Sequence, residues 1–445
     1  MPDTEPRWDE IFQNALNHLV QLVRLDTTNP PGNEHLVADY VATVCREMGL
    51  EPRVVARTRG RDNVVARIAG DGSEKPILLA SHADVVPAEP GAWTHPPFSA
   101  DVADGCVWGR GTIDMKSGTA MHLAAMQALV QLDIKRDVIL AVVADEETGM
   151  DQGSRFLVDE HPDLVRAEYA LGEVGGFSTM VMGRRIFPVQ VAEKGLCWIK
   201  ATTTGAPGHG SVPNRNSAVV QLARAVARLG SRRLPIHVTE PAREYLGRLG
   251  DALPGPGRVL MTLLGDARSA GPGLDLLMRK PEIGRPLLAA LTNTVTPTIL
   301  KAGEKINVVP SRAEVMLDGR TLPGHGPGDL VAEIKKIAPE LELEVIRALP
   351  AVQASPFTPV FRSIERALLR HASDGAVVPY LLPGMTDAKS WSILGTRCYG
   401  FMPMLFPDGF PHITELIHGH DERIPLTALE FGTRVFYEVL AECCT

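Results

Sequence analysis

The chain has 445 residues, 44% hydrophobic and 22% charged, so it is globular, long enough for two or three domains and able to bury a sizeable core. A net charge of -8 with no Lys/Arg block argues against nucleic acid and anionic membrane as partners. No apolar run approaches the roughly 18 residues of a membrane span, and the acidic start "MPDTEPRWDE" lacks signal-peptide character, so a cytoplasmic protein is expected. Its six cysteines show no CxxC spacing and are expected to be free thiols in a reducing compartment.

From the N-terminus, Trp8, Ile11, Phe12, Ala15, Leu16, Leu19, Val20 and Val23 recur at helical spacing. "TNPPGNE" stops that helix, and a second is predicted from near Glu34. "NVVARIAG" and "KPILLASHAD" read as strands. Residues 116–132 are apolar almost all round, which predicts a buried helix. "DVILAVVADEE" and "AEYALGEVGG" add two more strands. Strands alternating with helices predict a largely parallel sheet covered on both faces.

After about residue 194 the pattern changes. "CWIKATTTG" reads as an alternating strand and "NSAVVQLARAVARLG" as an amphipathic helix. The stretch 231–298 is rich in Pro, Gly and Arg and shows no clear periodicity. "KINVVPSRAEVMLDGRTLP", "DLVAEIKKIAPE" and "LELEVIRA" restore strands and a helix, and the α/β rhythm resumes from 356. "LTALEFGTRVFYEVLAECC" reads as a closing helix, with Thr427 and Glu430 spaced as a capping box. The expected architecture is α/β. A mostly parallel α/β domain, 1–193 and 351–445, is interrupted by a smaller α+β domain at 194–350.

Polar residues cluster where the predicted strands end. "PILLASHAD" ends in His82 and Asp84, "AVVADEE" in Glu146 and Glu147, and "YALGEVGG" in Glu173. Ligands of open parallel sheets bind at the carboxyl ends of strands, so these groups can share one crevice. "GRGTIDMKSG" adds Asp114, whose flanking glycines suit a strained turn, and "LIHGHDERIP" adds His418 and His420. Asp145, Glu146 and Glu147 repel one another, and a divalent cation such as Zn²⁺ would cancel that repulsion. Two such ions about 3.5–4 Å apart are a known hydrolytic arrangement. Asp84 is placed to orient a metal-bound His82.

With these motifs the chain resembles the two-zinc exopeptidases and amidases that include aminoacylase, glutamate carboxypeptidase, tripeptidase and succinyl-diaminopimelate desuccinylase. "SHADVVPA", "GRGTIDMKSG", "ADEETG", "GEVGG", "GAPGHGSVP", "INVVPSRAEVMLDGR", "GMTDAK" and "IHGHDERIP" carry the resemblance along nearly the whole chain. It implies a zinc-hydrolase domain with a lid/dimerisation domain and two Zn²⁺ per chain, with Co²⁺ or Mn²⁺ as possible substitutes. His82, Asp114 and Glu173 would hold one ion; Asp114, Glu147 and His418 would hold the other. Glu146 would be the general base, Asp84 would stand behind His82, and His209 would stabilise the oxyanion. Arg320, Asn307 and Gly384 would bind substrate. His418 fits the family's His-x-x-x-Glu pattern with Glu422, which leaves His420 between them. A cis peptide is expected after Asp114.

The implied reaction is hydrolysis of an amide or peptide bond in a small carboxylate-bearing substrate, an N-acyl amino acid or a short peptide. The implied assembly is a homodimer in which His209 reaches the partner's site. A desuccinylase-type deacylase is the alternative substrate reading. A non-catalytic binding protein on the same scaffold should have lost Glu146, and a two-metal phosphoesterase should carry a Gly-rich phosphate loop.

Overall fold

A computed structural model describes residues 6–445. The chain divides into two compact units. The first comprises the residues up to Val191 with Ala354–Pro379 and Thr386–Thr445; the second comprises Ala192–Gln353 and Tyr380–Met385.

In the first unit a twisted sheet runs in the order Arg53–Ala56, Asp62–Ile68, Arg136–Val143, Glu74–His82, Tyr169–Gly172, Arg397–Gly400 and Arg184–Glu193. Its four middle strands are parallel and the outer pairings are antiparallel. Parallel strands buried on both faces need continuous apolar runs, and "ILLA" and "VILAVV" supply them. Leu78, Ala80, Ile139, Ala141 and Val143 face a core that includes Phe156, Leu157 and Trp391. On helix Trp8–Arg24, Ile11 and Ala15 pack on Ala124 of the buried helix Lys116–Leu129. The register pairs His82 with Val143, Leu79 with Leu171 and Gly172 with Gly400, so these strands end within two residues of one another. That alignment carries the residues after each strand to one edge of the sheet.

The second unit is a four-stranded antiparallel sheet ordered Thr294–Ala302, Arg312–Thr321, Gly195–Thr204, Glu342–Leu349. Helices Ala218–Ser231 and Pro327–Ile337 cover one face through Leu222, Ala225, Leu229, Leu330 and Ile334. The unreadable stretch folds into four helices, Glu240–Ala252, Gly255–Gly265, Ala270–Leu277 and Pro281–Leu291. Pro241 and Pro256 sit in the first turns of two of them, where a missing N–H costs nothing. Prolines there mark several helix starts, and Pro286 lies inside the last helix, so proline density hid the periodicity.

One local expectation fails. The closing helix spans Leu426–Cys444 and its N-cap is Pro425, without a side-chain cap bond. Thr427 therefore lies inside the first turn and cannot form a capping box, because the strand Arg423–Pro425 delivers the chain directly into the helix. All six cysteines are free thiols. Among the described residues, no helix is long and apolar enough to cross a membrane.

Candidate metal-dependent active site

His82, Asp114, Glu146, Glu147, Glu173 and His418 meet at the C-terminal edge of the parallel strands. His82 Nε2 lies 3.0 Å from Asp114 Oδ1 and 3.5 Å from Glu173 Oε2. His418 Nε2 lies 3.4 Å from Asp114 Oδ2 and 3.1 Å from Glu147 Oε2. Asp114 thus turns one oxygen to each histidine, the disposition a bridging carboxylate needs. Donor atoms of His82, Asp114 and Glu147 lie within 4.8 Å of one another, and so do those of His82, Glu146 and Glu173.

The loop that presents Asp114 is built for close approach. Gly109 and Gly111 have φ of +153° and +87°, and a Cβ on Gly109 would fall 2.3 Å from Val23 Cγ1. The Asp114–Met115 peptide is cis. Buried Glu422 ties the loop down: it accepts from the backbone N–H of Gly111, Ile113 and Asp114 at 2.7–3.0 Å and from Arg110 Nη1 at 2.8 Å. The glutamate four residues after His418 therefore positions Asp114.

Asp84 requires a correction. Its carboxylate is not the partner of the His82 ring, since Oδ1 is 3.7 Å from Nδ1. The Asp84 main-chain carbonyl accepts from Nδ1 at 2.9 Å, which leaves Nε2 facing the carboxylates. The carboxylate instead takes the N–H groups of Glu146 and Glu147 at 3.1 and 3.2 Å and Asn29 Nδ2 at 2.8 Å. It holds the backbone of the glutamate pair, and those N–H groups compete successfully with an imidazole that has a carbonyl closer by.

The charges strain against one another. Burial, with Glu173, Asp387 and Glu147 nearby and only His82 opposing, pushes Glu146 well above the usual carboxylate range. Hydrogen bonds to Asp114 and Glu147 push His418 up to about 10. Burial disfavours a charged His82, yet Asp114 and Glu173 raise it well above an ordinary imidazole. The cluster therefore draws positive charge. Glu147 Oε1 is buried with no hydrogen-bond partner among the described residues. Imidazole nitrogen, several carboxylates and an orphaned carboxylate oxygen fit divalent cations of the zinc class.

Other residues support the site that sequence reading missed. Arg61 pairs with Glu34 and with Asp145 at 2.7 and 3.0 Å, which relieves the first charge of the "DEE" run. Asn29, read only as part of a helix stop, also approaches Thr148 Oγ1 at 3.0 Å. Asp387 of "GMTDAK" is buried and accepts from Ser154, and burial pushes its carboxyl up to about 7. Nothing in a sequence window joins these pairs; only "GMTDAK" had been singled out.

The remaining candidates, His420 apart, lie in the second unit. His209 is exposed, with Nδ1 2.7 Å from Ser211 Oγ. Arg320 donates to Asp318 at 2.8 and 3.1 Å, while its buried Nη1 is unpartnered among the described residues. Asn307 is exposed, and its carbonyl accepts from Gly210 N at 2.8 Å. Gly384 is half-buried in the segment Tyr380–Met385. His420 is exposed in the first unit and joins neither donor group.

The profile of Peptidase family M20/M25/M40 matches residues 78–442. The chain belongs to this family. Among M20 relatives, Probable carboxypeptidase S-like 2 from Dictyostelium discoideum is 28% identical over 83% of this chain and 72% of its own length. The N-fatty-acyl-amino acid synthase/hydrolase PM20D1 of Homo sapiens is 28% identical over 98% of this chain and 88% of its own. The M20 metallo-carboxypeptidase Sso-CP2 from Sulfolobus solfataricus shares the fold, with a TM-score of 0.71 at 20% identity, covering 96% of this chain and 98% of that one. The M20 chain is a hydrolase of amide or peptide bonds.

Proposed function

We propose that this M20 hydrolase uses two zinc ions to cleave an N-acyl amino acid or short peptide that carries a free carboxylate. The observation that carries the reading is Asp114, one oxygen toward His82 and the other toward His418. His82, Asp114 and Glu173 would hold one ion; Asp114, Glu147 and His418 would hold the other, with Co²⁺ or Mn²⁺ able to substitute. Bound there, divalent zinc supplies Lewis acidity to the attacking water and the scissile carbonyl. Glu146 takes a proton from that water and returns it to the leaving amine, so amide and water become carboxylic acid and amine. His209 donates to the developing oxyanion, the Arg320 guanidinium takes the substrate carboxylate, and Asn307 and Gly384 are further substrate-binding residues. Asp84 positions Glu146 and Glu147 through their backbone N–H groups.

One screen tests substrate class. Metal-loaded protein is assayed on N-acyl amino acids, dipeptides, an N-succinylated diamino acid and a phosphate ester. Turnover is expected on the first two classes and should fall when the substrate carboxylate is amidated. Preference for the succinylated substrate would move the reading to the desuccinylase branch, and phosphate-ester turnover alone would overturn it.

The proposed assembly is a homodimer with His209 acting in the partner's site. The edge strand Thr294–Ala302 leaves Ile299 and Leu300 exposed, a feature that supports pairing through the lid sheet. Mixing Glu146→Ala with His209→Ala under subunit exchange should restore activity to roughly a quarter of all sites, by the pairing arithmetic of a two-fold dimer. No recovery despite demonstrated exchange would exclude action in trans.

A further inference from the structure

The second unit carries its own set of metal-type donors. One ring nitrogen of His237, one of His325 and one carboxylate oxygen of Glu333 lie within 4.8 Å of one another. They arrive from three places: the segment before helix Glu240–Ala252, the turn after strand Arg312–Thr321, and helix Pro327–Ile337. His237 Nε2 is 2.7 Å from Glu333 Oε1, and the two imidazole centroids are 4.2 Å apart.

A plain His–carboxylate hydrogen bond accounts for His237 and Glu333 but not for His325. The buried Nδ1 of His325 has no hydrogen-bond partner among the described residues, and its ring lies against another imidazole. Two protonated rings at that distance would repel. Two neutral rings offer lone pairs, and a divalent cation accepts them together with the carboxylate. The surroundings also resemble a support for ligands. Asn293 donates to Glu333 Oε2 at 3.1 Å, and its Oδ1 accepts from Leu322 N at 2.8 Å, three residues before His325. One side chain thereby sets both the carboxylate and the turn, as partners behind metal ligands do. The N–H of His237 is fixed on Leu291 O at 2.7 Å.

We propose that His237, His325 and Glu333 form a divalent-metal site of the His₂Glu type, separate from the catalytic cluster. Zinc–ligand bonds of about 2.0–2.2 Å set donor separations near 3.3 Å in a tetrahedron, so donors within 4.8 Å of one another need only side-chain adjustment to hold an ion. Water takes the fourth position. Glu333 also lines a surface cavity of about 460 Å³, which gives an ion a way in. Arg233, Arg268 and Lys336 share that wall and oppose a cation, although Arg233 pairs with Asp275, so retention rests on the three donors. The ion would pin the helical stretch after residue 231 to the turn and helix beside it, coupling metal to the stability of this unit.

The test counts metal on the full chain, saturated with Zn²⁺ and then desalted. His237→Ala and His325→Ala should each lose one ion per chain while turnover stays within about twofold, since activity belongs to the other cluster. Diffraction from the unsubstituted protein at the zinc edge should place an anomalous peak among the three side chains, which covers the case of a variant that does not fold. Equal zinc content in the unsubstituted and variant proteins, or no peak among these residues while the catalytic cluster is filled, would overturn the proposal. Either result leaves the catalytic reading untouched, because neither depends on turnover.

Discussion

Glu146→Ala is expected to lower turnover by about 10²–10⁴-fold, the usual cost of losing a general base, while fold and catalytic metal are retained. The backbone at 146 is held by Asp84 Oδ1 and does not depend on the Glu146 side chain. Removing one carboxylate from a crowd of them also relieves repulsion, so the thermal midpoint should stay level or rise. Glu147→Ala should behave differently. Its Oε2 faces His418 at 3.1 Å beside Asp114, so its loss opens one side of the pair and lowers metal occupancy. Because Glu146 groups with His82 and Glu173, it has a second reading as a ligand. Metal content decides between the two: an emptied site in Glu146→Ala with full occupancy in Glu147→Ala would exchange their roles.

The strand ends were legible because a parallel sheet makes them so. Once "ILLASH" and "LAVVADEE" are read as neighbouring buried strands, His82 and Glu146 must emerge at the same edge, and the register of His82 with Val143 shows the reason. Asp114 was legible through its flanking glycines, which mark an unusual backbone or a close approach, and the structure shows both. What stayed hidden depends on contacts between distant residues. Arg61 neutralises Asp145 across 84 positions, and Asn29 reaches Asp84 across 55. Periodicity carries no trace of either. Asp84 was assigned to the His82 ring from sequence proximity, but three N–H donors on its carboxylate decide otherwise. The helices between 240 and 291 were hidden by the prolines that start three of them. His325 and Glu333, eight positions apart across a turn and a helix, meet His237 only in the folded second unit.

Removal of metal is expected to abolish hydrolysis, and re-addition to restore it. His82, Asp114, Glu147, Glu173 and His418 present two imidazoles and three carboxylates to a common centre, and Glu147 Oε1 has no partner among the described residues. A divalent cation held by these residues would balance their charge and would lower the pKa of a water toward about 7, and Glu146 is the residue proposed to take the proton. The most direct test is a titration of chelator-stripped protein with Zn²⁺, following turnover of the best amide substrate against ions bound in the His325→Ala background. Turnover should begin near zero, rise with Zn²⁺ and level off at two ions per chain, with Co²⁺ giving the same end point. Full turnover by the metal-free protein would contradict the account.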